Sequence, residues 1–440
     1  MSDDASDTAT TARWPGITQL LTRTYAPLAV GLLLLLAALI AISPAFLIYD
    51  ERYYMQASRI LANSGSFDVL MRTRSDIAAG PLYPYLHVIL SPLTGLGAPA
   101  IRYINFACLL ISLAAMAWTM RLMQLSVPWL RAAMLLAVPM IWPTSGMALT
   151  ELPALAFASL AVALAGQGAV TASALSRLRL FALSGLLAGI AITGRQTYLP
   201  ALAGYLLLAL AEPRLRGPGL VGLLVAGAAL APMLIAWHGL TPPWQTQLTQ
   251  GLVPEYGVLA FVYLATATLL IAPNFYRSVL ISAKLRWVIA AVVVGAVLTC
   301  LVTGFRIEVA ARVIDKLPHQ LHLPAQIGAT VVMVSIAATM AIAGVANLVE
   351  FRRDRVFVLL VLLALALDGT AIAVSHQFSS RYVLVAFPFA LLALQRWWTW
   401  NGWASLRLAI GASMGLASLA AYYWNEPPAV PATKVAMPLQ

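Results

Sequence analysis

Residues 49–56 read Tyr-Asp-Glu-Arg-Tyr-Tyr-Met-Gln and follow directly on the first long apolar run of the chain. Two carboxylates, Asp50 and Glu51, therefore stand where a membrane helix meets water, in a chain of which only 10% is charged. Such groups suit removal of a proton from a hydroxyl or stabilisation of developing positive charge. Ionisable side chains at a membrane edge are functional-site candidates. Helix capping competes with that reading, because acids favour the first helical turn. Glu151, in Leu149-Thr150-Glu151-Leu152-Pro153, is a third carboxylate between two apolar runs. There too an ordinary helix N-terminus, with proline in its first turn, is the alternative.

Arginines supply the opposite charge. Gly194-Arg195-Gln196-Thr197-Tyr198 joins two apolar runs with almost no loop, so Arg195 must find a partner or water. A guanidinium is suited to bidentate phosphate binding; a structural pair with Glu151 or Asp50 is the competing reading. Ser375-His376-Gln377-Phe378-Ser379-Ser380-Arg381-Tyr382 reads as a short turn that brings His376 and Arg381 to the same water layer as Asp50. Interfacial packing and anchoring compete there. Arg72, Arg102 and Gln196 are second-rank candidates. Asp368, about two turns before His376, either balances an arginine or is structural. His319 and His322 are three apart but flanked by Pro318 and Pro324, so no regular helix and no metal site is expected. The sequence has no Walker-type loop, GxGxxG or G-x-S-x-G. Cys108 and Cys300 lie in apolar runs and read as packing residues.

The elements that must position these groups are membrane helices. Of 440 residues 61% are hydrophobic, against about 45–50% apolar in soluble domains. The net charge of +11 reads as a basic bias in cytoplasmic loops, not as a nucleic-acid surface. A span takes about 20 apolar residues. Candidate runs lie near 26–47, 101–120, 131–143, 150–167, 180–194, 197–212, 219–238, 256–273, 287–304, 326–348, 356–375, 382–397 and 404–423. The expectation is an all-α polytopic protein with about 13 transmembrane helices. Residues 81–97 are apolar but carry three prolines and His87. Laying them along the interface keeps Arg121, Arg131, Arg177 and Arg179 inside, as the positive-inside rule favours. With the N-terminus inside, all five histidines and eight of the 16 acidic residues, Asp50, Glu51, Asp68, Asp76, Glu151, Glu255, Glu308 and Asp315, fall on the outer side. Residues 1–25 then form a cytoplasmic tail, 26–424 the membrane domain with a first outer loop at 48–100, and 425–440 a short C-terminal tail. Within that loop Tyr53, Gln56, Ala57 and Ile60 share one face of a short helix able to lie on the membrane.

This pattern resembles the GT-C type glycosyltransferases, and among them the dolichyl-phosphate-glucose glucosyltransferases. Their M-D-E…Q-A-x-R stretch is similar to Tyr49-Asp50-Glu51…Gln56-Ala57-Ser58-Arg59. Their L-R-x-x-N resembles Ile101-Arg102-Tyr103-Ile104-Asn105, and their F-R-Q-T-N resembles Gly194-Arg195-Gln196-Thr197-Tyr198. A late H…N-R-H-Y stretch is loosely similar to His376…Ser380-Arg381-Tyr382. The lipid A aminoarabinose transferases and protein O-mannosyltransferases share the architecture more distantly, and their second acidic residue corresponds to Glu151. Tyr54 stands where a histidine often follows the acidic pair.

The resemblance implies a GT-C transmembrane domain with juxtamembrane helices in the first outer loop, and transfer from a polyprenyl-phosphate sugar to an acceptor hydroxyl, with inversion. The acceptor would be a glycan, lipid or protein. The site would face away from the cytoplasm, in the cell (inner) membrane. It implies Asp50, Glu51 and Glu151 as catalytic carboxylates and Arg195, Arg381 and Arg72 around the donor phosphate. Gln196, Arg102, His376 and Tyr382 would position substrate. No cofactor beyond the lipid-phosphate sugar is implied, and no metal. The alternative is a multi-pass transporter or flippase for a lipid-linked or anionic substrate, in which charges also mark the pathway. Transporters commonly show two-half symmetry, which this sequence lacks.

Overall fold

The computed structural model describes residues 15–73, 78–245, 251–280, 282–303, 317–374, 378–398 and 403–425, with Ile307 and Ile314. Among the described residues every regular element is helical. Nine helices among the described residues are long and apolar enough to cross a membrane, and two shorter apolar ones, Gln196–Ala211 and Leu285–Thr299, accompany them. The chain is an all-α polytopic membrane protein. Helices prevail because backbone polar groups in lipid must be satisfied within the segment. Arg102–Leu122 and Glu151–Val170 are central, with 61% and 56% of their most apolar stretch buried, whereas Arg23–Ala41 is peripheral at 22%.

Two of the thirteen expected spans are not continuous helices. The run near 131–143 breaks into Pro128–Ala132, Ala133–Ala137 and Ile141–Gly146; the run near 382–397 breaks into Ser380–Ala386, Phe387–Ala393 and Leu394–Trp397. Pro139, Pro143 and Pro388 lie within these stretches and cannot donate helical hydrogen bonds. Both stretches are buried almost throughout, which is where irregular backbone is tolerated at membrane depth. Apolar composition does not distinguish a buried broken segment from a span.

The loop after the first span forms the helices Glu51–Ser64, Phe67–Arg72, Leu82–Ile89 and Ser91–Thr94. The 81–97 segment does not cross. It packs against the bundle through Leu82, Tyr83, Pro84 and His87. In Glu51–Ser64 the expected stripe turns inward only at Ala57: Tyr53, Gln56 and Ile60 are half-buried, and the rest of the inward face is Glu51, Tyr54, Met55, Ser58 and Leu61. The helix turns a carboxylate inward because an arginine meets it there. His319–Glu350 is a regular 32-residue helix that contains Pro324, contrary to the expectation from its flanking prolines. Pro324 lies in its second turn and removes one hydrogen bond near the end.

Close backbone approach fixes the loop against the bundle. A Cβ on Gly80 would lie 2.2 Å from the Thr193 carbonyl oxygen, and one on Gly194 would lie 2.6 Å from Leu82 Cδ2. The Gln196 amide donates to the carbonyls of Ala78 (2.6 Å) and Leu240 (3.0 Å). The Arg195 turn is thus sewn to the first loop.

Candidate functional site

Two groups of charged residues form at the end of the bundle where Arg102–Leu122 and Glu151–Val170 begin and Ala174–Gly194 ends. The first is a clasp. Glu51 and Arg102 are both 0% exposed and meet side by side, Arg102 Nε to Glu51 Oε1 at 2.9 Å and Nη2 to Oε2 at 2.8 Å. Glu51 also accepts from the backbone N–H of Ile48 (3.0 Å) and Ala148 (2.8 Å). Arg102 further donates to Ser43 Oγ (2.6 Å) and the carbonyls of Pro44 (2.7 Å) and Phe46 (2.9 Å), and lies 5.1 Å from the Tyr423 ring centroid. One ion pair thereby ties the end of the first helix, the loop that follows it, the 148 turn and the last helix.

The same turn is gripped from other sides. Tyr83 donates to the Ala148 carbonyl at 2.6 Å; Asn105 donates to the carbonyls of Thr144 (3.0 Å) and Leu149 (2.7 Å); Tyr423 donates to that of Gly146. Arg102 and Asn105 are three apart and so share a helix face. Together these contacts fix the backbone entering the helix that Glu151 begins.

The second group is an open cluster. Arg195 Nη2 lies 2.9 Å and Arg381 Nε 3.4 Å from the same oxygen, Glu151 Oε1. Arg381 Nη2 donates to Asp50 Oδ2 at 2.5 Å. Side-chain exposure falls from 24% at Asp50 through 12% at each arginine to 1% at Glu151, so the cluster opens on the Asp50 side. The rings of Tyr49 and Tyr382 flank the guanidinium groups: Arg381 is 5.3 and 5.7 Å from their centroids, and Arg195 is 5.4 Å from Tyr382.

Hydrogen bonding here is incomplete. Both oxygens of Glu151, Nε and Nη2 of Arg195, and Nε and Nη1 of Arg381 are buried without a well-directed hydrogen bond. Buried polar groups are normally paired, so such exceptions ask for a reason. Burial works against the Arg381 charge, but Glu151, Tyr54, Asp50 and Tyr382 outweigh it and its pKa rises. Arg195 behaves likewise, with Glu151 as the main counterweight to burial. Both remain cations. Burial pushes the Tyr54 phenol up to about 12, with Arg381 opposing, so it stays neutral.

The structure therefore joins Asp50, Glu151, Arg195, Arg381 and Tyr382, and takes Glu51 and Arg102 into the clasp. Asp50 does not cap: its side chain makes no capping hydrogen bond to the helix it precedes. Gln196 spends both amide hydrogens on backbone carbonyls. Arg72 pairs with Asp68 at 2.7 Å, 75% exposed, and touches no member of the cluster. His376 lies outside the described residues. Asp368 is buried and balances no arginine among the described residues. No group of three metal-ligating side chains occurs among the described residues. Sequence reasoning missed Tyr49 and Tyr54 as neighbours of the charges. Their place on either side of Asp50–Glu51 was the available signal.

No family model matches the sequence, and no curated protein matches it. Among solved structures, ArnT from Cupriavidus metallidurans in the apo state aligns with a TM-score of 0.45 and 15% identity, over 90% of this chain and 77% of that one. ArnT from the same organism bound to undecaprenyl phosphate aligns with a TM-score of 0.42 and 16% identity, over 90% of this chain and 78% of that one. Neither alignment transfers a residue's role to this chain.

Proposed function

We propose that this chain is a GT-C type membrane glycosyltransferase that moves a sugar from a polyprenyl-phosphate donor to an acceptor hydroxyl at the extracytoplasmic face, with inversion. The observation that carries the reading is the open cluster: two carboxylates and two guanidinium groups from four separate parts of the chain, with buried donors left undirected at Glu151. Guanidinium N–H groups that lack a good acceptor suit an entering phosphate.

In the reaction Asp50 takes the proton of the acceptor hydroxyl. The acceptor oxygen forms its bond to the anomeric carbon as the bond from that carbon to the phosphate oxygen breaks. The electron pair leaves with the phosphate. Arg195 and Arg381 stabilise the charge that grows on it, an effect commonly worth several kcal/mol. Glu151 holds both arginines in place and, beside the sugar, favours positive charge on the ring. General base catalysis by Asp50 contributes about 10²–10⁴ in rate. Tyr382 and Tyr49 keep the guanidinium planes oriented. Glu51 and Arg102 act through the fold, and Arg72 has no part in phosphate binding.

A lipid donor suits a chain of this kind. The polyprenyl tail lies between helices, and only the phosphate needs cationic ligands. The test is transfer of radiolabelled sugar from polyprenyl-phosphate sugars to membrane lipid extracts by the purified, reconstituted protein. Labelled product that depends on Asp50 supports the reading. Substrate counterflow in vesicles with no transfer would establish a transporter instead.

A further inference from the structure

Asp50 and a donor phosphate need the same guanidinium. In this structure Asp50 has its charge partner in Arg381, at 2.5 Å, and makes no capping bond to the adjacent helix. We propose that the Asp50–Arg381 pair is a latch, closed in the empty site and opened by the donor phosphate, so that donor binds before acceptor. This rests on the glycosyltransferase reading and adds an order of binding and a control of the base.

Charge and burial decide which contact yields. The cluster holds two positive and two negative side chains, so an entering phosphate adds an uncompensated negative charge. One carboxylate must give up its arginine. Glu151 is 1% exposed; stripping it of partners would leave a bare buried carboxylate, which is strongly unfavourable. Asp50 is 24% exposed, the most open of the four, and regains water when released. Arg381 is also the shared residue, reaching both Asp50 and Glu151, whereas among the described residues Arg195 pairs with Glu151 alone. The phosphate therefore displaces Asp50 and leaves the Glu151 contacts standing.

The consequence is functional. While latched, Asp50 points its oxygen at a guanidinium and is a poor acceptor for a hydroxyl proton. Once the phosphate holds Arg381, the carboxylate is free beside the bound donor. Activation of a hydroxyl, or of water, is thus confined to the loaded site.

The test is binding of undecaprenyl phosphate to the full chain in nanodiscs, with melting of each variant as the control for folding. Asp50→Asn should bind about tenfold more tightly than wild type, because the competitor for Arg381 has lost its charge; Asp50→Ala should do the same. In an Arg381→Gln background Asp50→Asn should bring no gain. Wild-type affinity in both Asp50 variants would overturn the latch while leaving the donor reading intact. A gain that persists undiminished in Arg381→Gln would also overturn it, since the effect would then be general repulsion. If the wild type and every variant fail to bind the lipid, the donor reading fails and the latch falls with it.

Discussion

Glu51→Gln separates the two adjacent carboxylates. Glu51 accepts four hydrogen bonds, two from Arg102 and two from backbone N–H groups of Ile48 and Ala148, and is 0% exposed. The substitution keeps the shape but removes the charge that balances Arg102, which is itself fully buried. Breaking a buried ion pair from one side costs about 3–5 kcal/mol. That is a large share of a stability of roughly 5–15 kcal/mol. The assay is a melting curve of detergent-solubilised protein followed by size exclusion, beside Asp50→Asn. Glu51→Gln should melt well below wild type, and activity should fall with the folded fraction. Asp50→Asn breaks a partly exposed pair and should cost about 1 kcal/mol, with turnover abolished in folded protein. The double variant Glu51→Leu with Arg102→Met should recover part of the lost stability, because the orphaned charge is gone. A Glu51→Gln protein that melts like wild type and is inactive would refute the clasp and make Glu51 the base.

Four further outcomes follow from the same geometry. Arg195→Ala should weaken binding of the lipid phosphate, and unchanged affinity would remove it from the phosphate site. His87, 0% exposed and with its ring 4.2 Å from that of Tyr83 and tilted by 40°, is held by burial at a pKa of about 3. A depressed pKa means that its contribution is present above the unfolded value of about 6.5 and is lost as pH falls toward 3. The loss reaches roughly 2 kcal/mol at pH 5, and His87→Phe should flatten the melting profile over that range. Gly80→Ala should destabilise by about 1–3 kcal/mol through overpacking against the Thr193 carbonyl, seen as a lower melting midpoint. A cysteine at exposed Ser64 should be labelled by an impermeant reagent from outside the cell; labelling from the cytoplasm alone would invert the proposed orientation.

The sequence by itself determined the kind of molecule and the short roster of charges. A chain with 61% hydrophobic residues, long apolar runs and few ionisable groups forms membrane helices, and its charges collect where those helices end. Asp50, Glu151, Arg195 and Arg381 were legible because each interrupts or borders an apolar run. Partnership was not legible. Asp50 and Glu51 are neighbours in sequence, yet one faces an open cluster and the other a sealed clasp, because successive helical positions diverge by about 100°. The 331-residue separation of Asp50 from Arg381 likewise leaves no local signal of contact. The broken segments at 128–146 and 380–397 look like spans in composition; only packing on all sides lets their backbone bend at membrane depth. Tertiary structure alone decided which carboxylate stays buried and which one meets water.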